Sequence, residues 1–252
     1  MKNTKKRNLK SRKYILLICF ILVVFLILRA VSFIQEYSAV PEVTGDGIDY
    51  PVRGVDVSHY QGDIDWPVLA DQGIAFAFIK ATEGSSHTDK NFEYNWQGAN
   101  DTHLKVGAYH FMSFESSGEA QAENFISNVP AESDTLPPVV DLELYGDFIN
   151  DHPSQETVDS ILKPLLQELE EYYGMKPIIY TTSALYTSYV EGNYDNDIWL
   201  ADLSFPDTLP DGSDWEFLQY SFEGQLEGYS GYLPHLDLNV YHGSRLDFVL
   251  KY

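Results

Sequence analysis

Apolar residues fall along this chain in two rhythms. From Ile15 to Leu28 they are continuous; Arg29 breaks the run, and Ala30 to Ile34 extend it to about 20 residues, the length an α-helix needs to cross a bilayer. Beyond residue 50 they come in short, β-rich runs. These are Arg53–Val57, Ala75–Lys80, Val106–Met112, Val139–Leu144, Pro177–Thr182, Ile198–Ala201, Phe217–Ser221 and Leu236–Tyr241. Near-continuous hydrophobicity within each run predicts strands buried on both faces, as in a parallel sheet covered by helices.

The gaps carry helical patterns at first. Asp65 can cap a turn that begins Trp66-Pro67, with Gly73 as its stop. Asn91–Asn100 and Glu119–Asn128 fit short helices. Ser154–Tyr173 is the longest, with Ile161, Leu162, Leu165, Leu166 and Leu169 on one stripe and Gly174 as its cap. After Thr182 only a brief helix fits, around Ser183–Val190. The last runs are separated by about 15 residues rich in Gly, Asp and Pro, too few for the usual helical crossover. Five βα-like units followed by three strands predict an α/β fold. It is an irregular TIM-like β/α barrel, (β/α)5(β)3, preceded by one N-terminal transmembrane helix. Chemistry in such barrels sits at the C-terminal ends of the strands.

Charge sharpens the reading of the ends. Seven basic residues and no acid precede the apolar run, so the expected topology is a cytoplasmic N-terminus with the remainder exported. No small-x-small cleavage site follows the apolar run, which favours an uncleaved signal anchor over a signal peptide. The expected organisation is a cytoplasmic basic segment at 1–13, a transmembrane anchor at 14–34, a linker at 35–50 with Pro41, Gly45 and Gly47, and a domain at 51–252. The only cysteine, Cys19, lies in the apolar segment, so the domain needs a core large enough to stand without disulfides. After residue 34 there are 8 Lys and Arg against all 38 Asp and Glu. A charge of about −30 argues against nucleic acid and anionic lipid as partners of the exported part.

The run Pro137 to Glu143 holds two acids, Asp141 and Glu143. A strand's side-chain period of two puts both on one face. Like charges side by side are costly, and two carboxyl groups pushed to different pKa values are the chemistry of glycosidic bond cleavage. The competing reading is a solvated strand end. Other polar residues lie at run ends too: Asp56, Lys80, Tyr109, His110, Tyr180, Asp202, Gln219 and Asp237.

These residues resemble glycoside hydrolase family 25, the lysozymes that cleave peptidoglycan. The resemblance runs through Arg53-Gly-Val-Asp-Val-Ser-His-Tyr-Gln-Gly62, Phe78-Ile-Lys-Ala-Thr-Glu-Gly84, Gly107-Ala-Tyr-His-Phe111, Val139-Val-Asp-Leu-Glu143, Gln219-Tyr220 and Leu236-Asp-Leu-Asn239. It covers the exported domain and leaves out anchor and linker. One departure is His87, where the family usually has an aromatic or aliphatic residue. The resemblance implies a muramidase that hydrolyses the β-1,4 bond between N-acetylmuramic acid and N-acetylglucosamine; the apolar helix and its basic flank add the expectation that it is membrane-anchored and faces the cell wall. Glu143 is then the general acid and Asp141 the group that assists, through the substrate's acetamido group or by positioning water. Asp56 and Asp237 are supporting aspartates. Tyr109, Tyr180, Trp199 and Tyr220 would offer flat faces to sugar rings; Lys80, His110, Asp202 and Gln219 would supply polar contacts. The partners implied are peptidoglycan strands and, through the helix, the membrane, with no nucleic acid. No cofactor is needed, and neither His59 nor His110 sits in metal-site spacing. Two rivals stay open: a chitinase-like glycosidase, whose motif adds an Asp where this chain has Val139, and a non-catalytic wall-binding module.

Overall fold

The computed structural model describes residues 2–41, 49–132, 134–233 and 235–252. The chain divides into two units, Met1–Ala39 and Val40–Tyr252. The first is a single helix, α1 (Lys2–Ala39), whose stretch Phe20–Ala39 is long and apolar enough to cross a membrane. It runs past the expected anchor on both sides, because neither Gly nor Pro interrupts the sequence before Pro41. The predicted linker therefore loses its first residues to the helix, and its glycines lie outside the described residues.

The second unit is built on nine strands: β1 (Arg53–Val57), β2 (Ile74–Glu83), β3 (His87–Thr88), β4 (Lys105–Phe111), β5 (Val139–Asp141), β6 (Ile178–Thr182), β7 (Ile198–Ala201), β8 (Phe217–Gly224) and β9 (Leu236–Tyr241). The sheet order β1-β9-β8-β7-β6-β5-β4-β2, with β1 also paired to β2, closes eight of them into a barrel. β3 is an added ribbon antiparallel to the end of β2. It carries the exposed His87. Helices α2 (Trp66–Ala70), α3 (Phe92–Asn100), α4 (Gly118–Asn128), α5 (Gln155–Tyr173) and α6 (Ser183–Leu185) fill the first five crossovers. A π-helical turn, Tyr186–Val190, continues α6, and α7 (Arg245–Lys251), which the sequence pattern did not indicate, ends the chain.

The caps act where the sequence puts them. Asp65 accepts from the Val68 amide, Ser154 from the Thr157 amide, and Gly174 closes α5 in the left-handed region at φ 68°. One direction differs from the parallel sheet expected: β9 runs antiparallel to both β8 and β1. Its preceding loop is a hairpin without a crossover helix, so the strand must return.

The two faces of the barrel strands have separate cores. Outward residues, among them Val55, Ala77, Ile79, Val106, Val140, Ile179, Leu200, Leu218 and Val240, join the helix stripes in one apolar cluster. Inward, the lower barrel is filled by rings. Phe76, Phe78 and Phe217 meet one another at 4.9–5.8 Å between centroids, and Phe78 stacks on Trp199 at 4.4 Å. Glycines make the room: a Cβ on Gly54 would lie 2.2 Å from the Phe76 ring. One on Gly107 would lie 2.7 Å from Phe78.

Candidate active site

Above this aromatic floor the inward positions turn polar. A cleft of about 300 Å³ is lined by Asp56, Lys80, Tyr109, Phe111, Asp141, Glu143, Tyr180, Trp199, Gln219 and Asp237, with Ser58, Tyr60 and Phe222 at its rim. A larger groove of about 680 Å³ beside α2 and α3 contains none of these four acids.

Strand parity and strand direction place these groups. Asp56 stands directly opposite Asp237 across the β1–β9 pair. Asp237 lies near the start of its strand, not at its end, and reaches the mouth only because β9 runs backwards. β5 stops at Asp141, so Glu143 follows it in the loop; both acids nevertheless line the cleft.

A hydrogen-bonded network supports the acids from below. Asp56 Oδ2 accepts from Gln219 Nε2 at 2.8 Å. It also accepts from Asn239 Nδ2 at 2.7 Å. Asn239 Oδ1 accepts from the Trp199 indole at 2.8 Å, and the Tyr180 hydroxyl donates to Gln219 Oε1 at 2.7 Å. Asp141 Oδ1 is buried without a partner. Lys80 is the cation of the cleft, held by Glu83 at 2.8 Å and lying 4.9 Å above the Phe111 ring.

Burial dominates the electrostatics, since charge is costly in a low dielectric. It pushes Asp56 up to about 6, against the pull of the Asn239 and Gln219 amides. Asp237 rises to about 8 through burial and then the charge of Asp56. Asp141 is held well above the usual carboxylate range by burial and by Glu143, with Lys80 pulling the other way. Glu143 is raised by burial, opposed by the Tyr180 hydroxyl beside it and by Lys80. The cluster thus holds more protons near neutrality than four free carboxylates would, which is the condition for an acid catalyst.

Three of the residues singled out from the sequence lie elsewhere. His110 points outward, between Thr82 Oγ1 at 2.7 Å and Gln121 Oε1 at 3.0 Å. Gln121 gives both amide hydrogens to the Ser113 and Ser116 carbonyls. Its oxygen must therefore accept, and His110 is neutral with the proton on Nε2. Burial lowers His110 to about 4. Tyr220 packs on Phe205 at 5.3 Å, and Asp202 bonds Ser183 and Ser204 in the loop after β7. All three have the wrong parity. Tyr109 and Gln219 face the cleft, so their neighbours His110 and Tyr220 face away; Trp199 faces it, so Asp202, three positions on, does not. The same rule finds Phe111 and Asn239, two residues from Tyr109 and Asp237, which the sequence reading passed over. Among the described residues no group of three His, Cys, Asp or Glu is arranged to hold a metal ion.

Comparison with known proteins agrees with this geometry. A family 25 glycosyl hydrolase from Bacillus anthracis superposes with a TM-score of 0.77 at 44% identity, over 83% of this chain and 96% of that one. The Escherichia coli K12 protein YegX, uncharacterized, is 35% identical over 77% of this chain and 71% of its own length. Lysozyme M1 of Streptomyces globisporus is 33% identical over 77% and 68%. The description "Glycosyl hydrolases family 25" matches residues 55–229. With the barrel, the cleft and these relatives in agreement, the chain belongs to glycosyl hydrolases family 25 and is a glycoside hydrolase.

Proposed function

We propose that this protein is a muramidase that hydrolyses the β-1,4 bond between N-acetylmuramic acid and N-acetylglucosamine in peptidoglycan. The observation that carries the reading is the pair Asp141 and Glu143, side by side in one cleft and both biased toward their protonated forms. Relatives named lysozyme and N,O-diacetylmuramidase support the substrate class.

Glu143 donates its proton to the glycosidic oxygen as the bond to the anomeric carbon breaks. Asp141 accepts a hydrogen bond from the N–H of the 2-acetamido group and turns its carbonyl oxygen toward the anomeric carbon, which that oxygen attacks. Water then opens the resulting ring, giving its proton to the Glu143 carboxylate and restoring the acid. This substrate-assisted route is an established exception to the two-carboxylate scheme. Asp141 Oδ1, buried and unpartnered, is a group whose desolvation such a donor would relieve. Adjacent carboxyls at positions 141 and 143 leave little room for an inverting water between them. Tyr109, Tyr180 and Trp199 offer ring faces and hydroxyls to the sugar, and Lys80 tempers the acid cluster. The apolar helix holds the enzyme at the cell membrane with the domain on the outer side, as the basic flank implies.

The test is digestion of purified peptidoglycan by the full chain and by its Glu143→Gln variant, with soluble products read by mass spectrometry. Fragments ending in reducing N-acetylmuramic acid, made only by the wild type, are expected. Ends in N-acetylglucosamine would move the cleaved bond, and full activity in the variant would remove Glu143 as the acid.

A further inference from the structure

Glu143 has little of its own backbone to hold it. β5 ends at Asp141. Leu142 is still tied to β6: its amide donates to the Tyr180 carbonyl at 2.9 Å, and its carbonyl accepts from Thr181 Oγ1 at 3.1 Å. Among the described residues, Glu143 and Leu144 then make no backbone–backbone hydrogen bond. The next fixed point is the side chain of Tyr145. Its hydroxyl accepts from the Phe114 amide at 3.0 Å and shares a hydrogen bond with Ser113 Oγ at 2.9 Å. Its ring is nearly parallel to that of Phe114, with 13° between the planes. It also packs at 5.5 Å on Phe111, which lines the cleft. The receiving turn, between β4 and α4, is itself held. Gln121 accepts from the Ser113 amide at 2.7 Å and donates to the Ser113 and Ser116 carbonyls. Stacked rings alone can slide over one another; a hydroxyl with two directed partners fixes the phenol along its axis.

We propose that Tyr145 is a positioning residue: by docking its hydroxyl on the Ser113–Phe114 turn it fixes the free-standing segment 143–144, and so holds the Glu143 carboxyl where the glycosidic oxygen meets it. The use in catalysis rests on the reading of Glu143 as the acid; the docking itself belongs to the resting fold. Two residues of extended chain, about 7 Å, separate the clamp from the acid. A general acid must come within about 2.6–3.2 Å of the oxygen it protonates, and a misplacement of about 1 Å can cost 10²-fold in rate. Within a sheet the strand ladder supplies that precision. Past the end of β5 the ladder stops, and a side-chain clamp onto the neighbouring β4 turn takes its place.

The leaving group separates positioning of the acid from support of the whole cleft. A sugar hydroxyl leaves only with a proton supplied, whereas the dinitrophenolate of a 2,4-dinitrophenyl glycoside of N-acetylmuramic acid leaves without one. Tyr145→Phe keeps the ring and loses only the docking hydroxyl. In the full chain in detergent micelles its kcat/KM on soluble peptidoglycan fragments should fall about tenfold, and on the aryl glycoside it should stay within about twofold of wild type. Ser113→Ala removes one of the hydroxyl's two partners and should cost about threefold on the fragments. The double variant should lose less than the product of the two, because both act through one contact. Equal losses on the two substrates, or losses that multiply in full, overturn the clamp. If Tyr145→Phe does not fold, Ser113→Ala still gives the contrast between substrates. Backbone order is read without substrate. The Glu143 and Leu144 amides should show nitrogen-15 order parameters of about 0.85 in the wild type and below about 0.6 in Tyr145→Phe, with Leu200 in β7 unchanged as the control for folding. Unchanged order at Glu143 overturns the clamp whatever the activity. A wild type that leaves peptidoglycan intact removes the muramidase reading but not the clamp. An inactive Glu143→Gln beside an unaltered Tyr145→Phe removes the clamp but not the reading.

Discussion

The inner and outer faces of the barrel strands are made from alternate residues of the same short runs, yet they are different materials. The outer face is aliphatic, and it packs on helix stripes in which neighbours of similar volume could exchange places. The inner face is a stack of rings seated against glycine, with a buried acid network on top. The outer core supplies stability by apolar area removed from water. The inner core also sets the dielectric under the carboxylates, and hence their protonation. Substitutions outside should change how long the protein stays folded; substitutions inside should change what it does as well.

The largest effect expected is for Glu143→Gln. Loss of a general acid should lower kcat/KM by about 10²- to 10⁴-fold, while the melting temperature holds or rises because an amide carries no charge to desolvate. A variant that unfolds would show that Glu143 supports the barrel instead. Next comes the floor. Phe78→Ala removes a ring stacked on Trp199 and should cost about 3–5 kcal/mol, with activity falling in the molecules that remain folded. Leu165→Ala, fully buried in the outer core, should cost about 2–5 kcal/mol yet leave kcat/KM near wild type. Equal losses of activity in the two, compared at a temperature where both are folded, would erase the distinction between faces.

A smaller effect is expected at His110. His110→Leu takes the ring partner from Thr82 Oγ1 and one of two donors from Gln121 Oε1, which keeps the Ser113 amide; this should cost about 1–3 kcal/mol with kcat/KM within about twofold, because its neighbours bind the β4–α4 turn and not the cleft. A tenfold loss of activity there would restore it to the site. The smallest effect is in stability against pH. Asp237 titrates near 8 in the fold and in the ordinary acidic range when unfolded, so above pH 4 the folded state binds the extra proton. Stability from this group is full at low pH and is lost as pH rises through 8. His110, near 4 in the fold, has the opposite sign but is spent by about pH 6.5. Melting temperature should therefore decline between pH 6.5 and 8, and less steeply in Asp237→Asn; parallel slopes would place the titrating group elsewhere.

Much of this was legible along the chain. The runs Arg53–Val57, Ile198–Ala201 and Leu236–Tyr241 match strands residue for residue, because hydrophobic runs bounded by turn residues are local signals. Caps at Asp65, Ser154 and Gly174 were legible for the same reason. The parity of the strands was equally available, and applying it would have replaced His110 by Phe111. What the runs did not reveal was the direction of β9, since an apolar run reads alike from either end. Without that direction Asp237 belongs at the wrong end of the barrel. Helix α7 escaped because the last runs were read as strands alone.

By itself, the sequence determined the apolar helix, the order of strands and helices, the caps, and the acids that carry the family resemblance, all set by spacing of a few residues. The tertiary structure decided how far each carboxyl is pushed toward its protonated form. That depends on burial by rings from β2, β7 and β8, on a strand that returns antiparallel to set Asp237 against Asp56, and on amides from β8 and β9 whose orientation is fixed by an indole and a phenol. Desolvation and hydrogen-bond direction act through space, over contacts as far as 183 positions apart in the chain, and no local pattern encodes them.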